Sequence, residues 1–433
     1  MKNNYQKKAA LAATVPEVVM PDEVMLAMAD IADAAKEGLL ALAVSAGLQV
    51  MDVLMAESVT ALAGPKGRHD PDRVAVRHGE DDGGVVLGGR RVPVRRPRVR
   101  SADGNRELPV AAYELFSATD LLERMAMERM LGKLSSRRYR LGLEPVGADI
   151  EASARSTSKS SVSRRFVRAT ERAVAELMEA DLSHLDLVAV MIDGVHFAGH
   201  CCVVALGIGI DGTKHPLALE EGDTENATVV RDLLAGLRDR GLDTSRPMLF
   251  VLDGAKALRA GVDAVFDVPV VQRCQLHKIR NVEAKLPKQL AKTVTAKIRA
   301  AYHNHNALEA EAALRALAAE LKKSHPGAAG SLLEGLDETL TVVRLKIPPT
   351  LRSTLRSTNA IESMIEICRD HSSNVKRWRD GDMTVRWCAA GMLEAAKQFR
   401  RVKGHLHLRA LRAELDKRAS VTTPAYQQAK DVA

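Results

Sequence analysis

Two short apolar runs end in the same way. Leu187-Val188-Ala189-Val190-Met191-Ile192 runs into Asp193-Gly194, and Met248-Leu249-Phe250-Val251-Leu252 runs into Asp253-Gly254. Aliphatic runs of this length closed by turn residues predict buried strands, each with a carboxylate at its C-terminal tip. The pattern around them is regular. It predicts a strand over 201–210, an Asp211-Gly212 hairpin turn and a strand over 214–219. Val229, Val230, Leu233, Leu234 and Leu237 then recur at helical spacing over 226–240. After Asp253 a helix is expected over 255–266 and a strand over 268–272. Residues 283–350 turn helical and rich in Ala, Leu and Lys. Glu362 falls in the first turns of a further helix, which Thr358 or Asn359 is placed to cap.

Upstream the pattern differs. Residues 17–62 predict one or two helices with a wide apolar face (Val24, Leu26, Met28, Ile31, then Leu39, Leu42, Leu48, Leu54 and Met55) and an acidic polar face. A small helical subdomain and a dimerisation surface both fit that face. Residues 64–110 are punctuated by glycine around Val85-Val86-Leu87 and Arg91-Val92-Pro93-Val94, which predicts a hairpin. Its second arm reads RRVPVRRPRVR, so arginines share a strand face and Arg95 and Arg96 become candidate DNA contacts. A helical period over 115–141 leads to a short helix over 147–154 and a serine-capped helix from 156 onward. Short helix, turn, capped helix is the layout of a helix-turn-helix. In it Lys159, Ser163, Arg164 and Arg165 would meet base edges and phosphates.

These changes of pattern divide the chain into a helical segment (1–64), a basic hairpin (65–110) and a helix-turn-helix domain (111–180). An α/β catalytic domain follows (181–282), then a helical insertion (283–350), a glutamate helix with C-terminal helices (351–415) and a tail (416–433). Composition adds little. Aromatics are only 3%, so the core must be aliphatic, and the net charge of +8 over 433 residues favours a polyanionic partner. The cysteines Cys201, Cys202, Cys274, Cys368 and Cys388 form no paired framework, which predicts a reduced, cytoplasmic protein. Pro16, Glu17 and Pro21 interrupt the N-terminal apolar residues, and the run 38–51 falls short of the ~20 residues of a membrane span. Neither export nor insertion is expected.

The candidate chemistry rests on Asp193, Asp253 and Glu362. Two strand-end aspartates and a helix glutamate can converge on one or two hard divalent cations, Mg²⁺ or Mn²⁺. Asp-Gly is also ordinary turn chemistry, as at Asp211. What distinguishes Asp193 and Asp253 is a buried parallel context that would bring both to one sheet edge. Cys274 and His277 form half of a common zinc pattern, but no second half is evident and structural zinc is not expected. Lys256 is placed for a phosphate. Arg280, Lys376 and Arg377 are candidates for the DNA-facing surface, and Trp378 for stacking on an unpaired base.

Four blocks carry a resemblance. Met191-Ile192-Asp193-Gly194, Leu252-Asp253-Gly254-Ala255-Lys256, Arg273-Cys274-Gln275-Leu276-His277-Lys278-Ile279-Arg280-Asn281 and Ser357-Thr358-Asn359-Ala360-Ile361-Glu362-Ser363 resemble, in order and spacing, the signature blocks of mutator-type bacterial insertion-sequence transposases, members of the DDE group. The likeness extends over about residues 135–411 and includes Asn374-Val375-Lys376-Arg377-Trp378. It implies a ribonuclease H-like catalytic domain, which the element order also predicts, with a helical insertion before the glutamate. It implies binding to terminal inverted repeats, with Asp193, Asp253 and Glu362 on the family's catalytic triad and His277 near DNA. The expected activity is strand cleavage and strand transfer with two Mg²⁺ (or Mn²⁺) ions ~3.5–4 Å apart. The protein would act as a homodimer or larger, on nucleoid DNA. Two other readings remain. The long insertion and the upstream DNA-reading segment argue against a structure-specific nuclease, and the presence of all three carboxylates argues against a DNA-binding protein with a decayed nuclease domain.

Overall fold

A computed structural model describes residues 22–68, 70–222 and 226–430, which form two compact units. The first comprises residues up to 125 together with 137–162. It opens with one helix, α1 (Asp22–Ala63), where one or two were expected; the expected start at 17–21 lies outside the described residues. β1 (Ala75–Leu87) and β2 (Arg90–Ser101) form the antiparallel hairpin, far longer than the two short runs suggested. Gly88 and Gly89, both at positive φ (56° and 73°), make the two-residue turn, a geometry that side chains with a Cβ disfavour at both positions. β3 (Glu107–Leu108) adds a short third strand. Met55 and Val59 of α1 pack with Val99, Val110 and Tyr113, the last on α2 (Ala111–Ser117). α3 (Asp120–Leu131) ends at Gly132, inside the helical period of 115–141.

Residues 41–63 of α1 are long and apolar enough to cross a membrane by length and composition alone. A count that stops at Asp52 misses this, because a span tolerates an occasional charge such as Asp52 and Glu57. In this structure Met55 and Val59 of that stretch are buried against the hairpin's cluster.

α4 (Ala148–Ser153) and α5 (Lys159–Met178) follow, joined by a five-residue turn. Ser158 Oγ accepts the Ser161 N–H at 3.3 Å, the serine cap expected there.

The second unit (126–136 and 163 onward) is built on a five-stranded sheet. Its strands are β4 (Leu187–Phe197), β5 (His200–Gly209), β6 (Lys214–Gly222), β7 (Met248–Leu252) and β8 (Pro269–Arg273), in the spatial order β6-β5-β4-β7-β8. β4, β5 and β6 pair antiparallel, whereas β7 and β8 join β4 in parallel. Alternate residues serve two cores. Val190 and Ile192 face α6 (Ala227–Asp239) and α7 (Lys256–Val265) through Val230, Leu233, Leu258 and Val262.

Residues 274–344 form helices α8 (Gln275–Glu283), α9 (Lys288–His303), α10 (Ala307–Leu321), α11 (Pro326–Leu333), α12 (Leu336–Thr339) and α13 (Thr341–Arg344), with a cluster of their own around Val294, Ile298, Leu314 and Leu332. α14 (Pro349–Leu355) leads to α15 (Asn359–His371), α16 (Gly381–Ala396) and α17 (Leu408–Lys430). Met191 and Val195 pack on this last group through Ile361, Met364, Met392 and Leu411. The result is a mixed sheet covered by helices on both faces, and the α15 glutamate lies over β4.

One boundary differs from expectation. β4 does not end at Asp193; it continues to Phe197 because β5 keeps pairing with it, from Asp193↔Val204 to Phe197↔His200. Only the parallel edge stops there, its last pair being Ile192↔Leu252.

Candidate active site

The parallel register positions the two aspartates. Ile192 pairs with Leu252, so Asp193 and Asp253 are the next residues on adjacent strands, which run about 4.8 Å apart. Both are half-buried. Asp193 Oδ1 accepts the Gly194 N–H at 2.9 Å, and Asp253 Oδ1 accepts the Ala255 N–H at 2.7 Å.

Glu362 arrives from the other side of the chain. The Gln275 N–H donates to Arg356 O at 2.9 Å, and the Cys274 N–H to Leu252 O at 2.7 Å. These two bonds tie the start of α8 both to the end of β7 and to the residue that precedes Ser357-Thr358. Thr358 is the residue before α15, and the sequence suggested a cap there. Its side chain does not cap the helix. Instead its hydroxyl donates to Glu362 Oε1 at 2.6 Å and lies 3.4 Å from both Cys274 Sγ and His277 Nδ1. Thr358 is fully buried and Glu362 about 29% exposed.

His277 Nδ1 is 3.8 Å from Glu362 Oε1. Its pKa rises to about 9, first through its hydrogen bond with Cys274 and, against the opposing effect of burial, through the charges of Cys274, Glu362 and Asp193. Burial pushes the Cys274 thiol up, but hydrogen bonds with His277 and Thr358 outweigh it and leave the thiol below its usual value. Thr358 and Glu362 thus lie beside the Cys-x-x-His pair. Ligand atoms of Cys274, His277 and Glu362 lie within 4.8 Å of one another.

The loop after Asp253 is braced from within. Gly254 has φ +106°, and a Cβ there would overlap the Arg273 guanidinium. Arg273, only 8% exposed, donates to Gly254 O and, at 2.8 Å, to Glu334 O. Sequence reasoning missed both Arg273 and the Thr358–Glu362 bond. Neither carries a local signal, since the partners are separated along the chain or hidden inside an apparent helix cap.

Each of the three carboxylates accepts a hydrogen bond from a protein donor, and a carboxylate accepts about four hydrogen bonds or metal contacts in all. Hard oxygen donors of this kind suit Mg²⁺ or Mn²⁺.

The other candidates fare differently. Lys256, Arg280, Lys376 and Arg377 are exposed, as are Lys159, Ser163 and Arg164. Arg165 does not share that exposure: it is 6% exposed because its position on α5 turns inward beside Phe166, so it cannot meet a base edge in this conformation. Trp378 is packed rather than presented, its ring 4.9 Å from Phe197 and 6.4 Å from Trp387. Trp387 is core, its ring packed against Phe166 at 4.5 Å and tilted by 47°. Arg95 and Arg96 pair with Asp82 and Asp81 across the hairpin.

Residues 23–401 match the family described as Transposase, Mutator family. The chain belongs to that family. It is 25% identical over 369 residues to a transposase for an insertion sequence element of Rhizobium meliloti, covering 84% of this chain and 89% of the relative. A Burkholderia multivorans insertion-sequence transposase is 29% identical over 346 residues, 78% of this chain and 83% of that one. A third, from Mycolicibacterium smegmatis, is 33% identical over 195 residues, and there the chain spans only 59% of the relative's length. The Mutator-family match contains Asp193, Asp253, Glu362, Cys274 and His277, and it reaches back into α1.

Proposed function

We propose that this member of the Mutator family is a DDE-type DNA transposase, cutting DNA at the terminal inverted repeats of an insertion sequence and joining the 3′ ends to target DNA. The fold fits a ribonuclease H-like domain, and α4 and α5 fit a helix-turn-helix. The observation that carries the reading is the register that sets Asp193 beside Asp253, with Asp193 and Glu362 both acting on the His277 charge.

Asp193, Asp253 and Glu362 would hold two Mg²⁺ or Mn²⁺ ions. Bound there, the ions would supply Lewis-acid stabilisation of the attacking and leaving oxygens in phosphoryl transfer. The chain's own residues supply position and charge. Thr358 fixes the Glu362 carboxylate, Arg273 braces the Asp253 loop, and a protonated His277 places a positive charge next to the carboxylates, where a phosphate would be drawn. Exposed Lys256 and Arg280 extend that positive character to the DNA path. The enzyme would work in the bacterial cytoplasm on nucleoid DNA.

The test incubates the full chain with DNA carrying the inverted repeats that flank its gene, in Mg²⁺. Cleavage at the repeat ends and covalent joining to a target plasmid are expected. Nicking without any joined product would leave a nuclease and refute the transposase.

Thr358→Ala should lower cleavage by about ten- to a hundredfold, since a hydrogen bond to a charged group contributes roughly 1.5–3 kcal/mol and 1.4 kcal/mol is tenfold. Thr358→Ser keeps the hydroxyl and should stay within a few-fold of wild type in single-turnover assays. Equal losses in both variants would point to packing rather than to the hydroxyl.

Transposition holds two DNA ends at once, and α1 exposes Leu39, Leu42, Val50 and Val53. The active species is therefore proposed as a homodimer or larger. Light scattering of the full chain with end DNA should give at least two copies; a monomer on paired ends would sink this.

A further inference from the structure

β2 is crowded with arginine, and most of it is neutralised nearby. Arg90 is buried against Glu151 at 2.6 Å, Arg95 meets Asp82 at 2.6 Å, and Arg98 meets Glu107 at 2.7 Å. Arg91 is different. Its main chain forms an antiparallel bridge with Arg155, in the turn between α4 and α5: the Arg91 N–H donates to Arg155 O at 3.2 Å, and the Arg155 N–H to Arg91 O at 2.9 Å. Residues that exchange both bonds stand directly opposite each other and send their side chains to the same side, with Cβ atoms about 5 Å apart. Like charges in that arrangement repel. Among the described residues, neither guanidinium has an ion-pair partner.

The two arginines open onto one cleft. Arg91, Pro93 and Arg95 share a face of β2, with Gly84 and Asp82 opposite on β1; together with Arg155 and Ser156 they line a volume of about 770 Å³. Gly84 makes room for this, since a Cβ there would lie 2.7 Å from Arg91 Nε and 3.0 Å from its Cγ. Glycine thus lets the Arg91 side chain lie over β1 inside the cleft. Asp82 occupies Arg95, so the charge left for a ligand belongs to Arg91 and Arg155.

We infer that this cleft binds the phosphodiester backbone of duplex DNA through Arg91 and Arg155. A phosphate in the cleft supplies the counter-charge that both arginines lack, and the planar guanidinium matches phosphate oxygens two at a time. The assignment rests on the reading of the chain as a DNA-acting enzyme and adds a contact in the hairpin unit that the four signature blocks do not contain. Backbone contacts position a duplex without reading its sequence, so this cleft holds DNA while other residues choose the site.

The test is fluorescence anisotropy of the full chain with two labelled 30-bp duplexes, one carrying the repeat end and one of random sequence, across 50–300 mM NaCl. Arg91→Gln and Arg155→Gln should each weaken both duplexes roughly fivefold at 0.15 M salt. Each should also make the slope of log K against log salt shallower by about 0.9, as expected for one lost phosphate contact. Gly84→Val keeps every charge but displaces Arg91, and should resemble Arg91→Gln. Arg155 is exposed and bridges through its backbone, so Arg155→Gln should keep the wild-type melting temperature and exclude misfolding as the cause. Inorganic phosphate at matched ionic strength should not displace either duplex; displacement at low millimolar phosphate would make this a small-anion site and overturn the proposal. An unchanged salt slope in both arginine variants would overturn it too, while end cleavage by those same variants would leave the transposase reading standing.

Discussion

Asp193→Asn should lower cleavage of the repeat ends by about a thousandfold or more while leaving duplex binding within about twofold of wild type. The substitution is nearly isosteric, and the amide oxygen still accepts the Gly194 N–H that Asp193 Oδ1 accepts at 2.9 Å. What disappears is one negative charge beside Asp253 and close enough to Glu362 for both to act on His277. If the three carboxylates hold the ions, the loss removes several kcal/mol of transition-state stabilisation, and 1.4 kcal/mol is a factor of ten. DNA binding depends on basic residues elsewhere and should not follow. Single-turnover cleavage in Mg²⁺ and a gel-shift titration on the same preparation check both halves. Near-normal cleavage would remove Asp193 from the site; parallel loss of binding would mean that the change had unfolded the sheet edge.

Gly254→Ala should be the most damaging single methyl in the catalytic unit. At φ +106° a residue with a Cβ is strained by about 1–3 kcal/mol. The new methyl would also overlap Arg273, a nearly buried guanidinium already anchored on Glu334 O and closely flanked by Gly335. Overpacking of this kind adds a further ~1–3 kcal/mol. A total of about 4 kcal/mol predicts a fall in melting temperature of roughly 7 °C for a unit of this size. Cleavage should fall further than stability alone requires, because the strained loop begins at Asp253. Differential scanning fluorimetry beside the cleavage assay at 20 °C would show this. A wild-type melting temperature with full activity would mean that Arg273 swings away freely and does not brace the loop.

Much of the catalytic unit was legible in the chain itself. β7 and the helices α6 and α7 fall within one residue of where aliphatic periodicity put them, because buried strands and amphipathic helices leave period-two and period-3.6 traces in sequence. Asn226, at the start of the expected helix, caps α6, its side chain accepting the Val229 N–H at 3.0 Å. The hairpin of 64–110 was visible as well, though its strands run much longer than their apolar cores, since polar residues such as Glu80 and Asp81 pair along an exposed edge without any hydrophobic signal. At α1, periodicity could not distinguish two helices from one.

The candidate site divides along the same line. Asp193, Asp253 and Glu362 were named by local context alone: an apolar run closed by Asp-Gly twice, and a glutamate one turn into a helix. That Asp193 lies mid-strand, with only its parallel edge ending there, was decided by β5, whose pairing continues four residues beyond. That Thr358 holds Glu362 instead of capping α15 was decided by the bonds tying Cys274 to Leu252 and Gln275 to Arg356, which bring α8 and α15 together across more than eighty residues of chain. Arg165 and Trp378 were misjudged for the same reason. A charged or aromatic residue looks the same in sequence whether its helix face meets solvent or a neighbouring core, and only packing against Phe166, Phe197 and Trp387 sends one face inward. Sequence alone therefore located most of the elements and named the acidic residues, because backbone periodicity and turn chemistry are local. Tertiary structure alone determined which side chains meet, because contact depends on register and on segments distant in the chain.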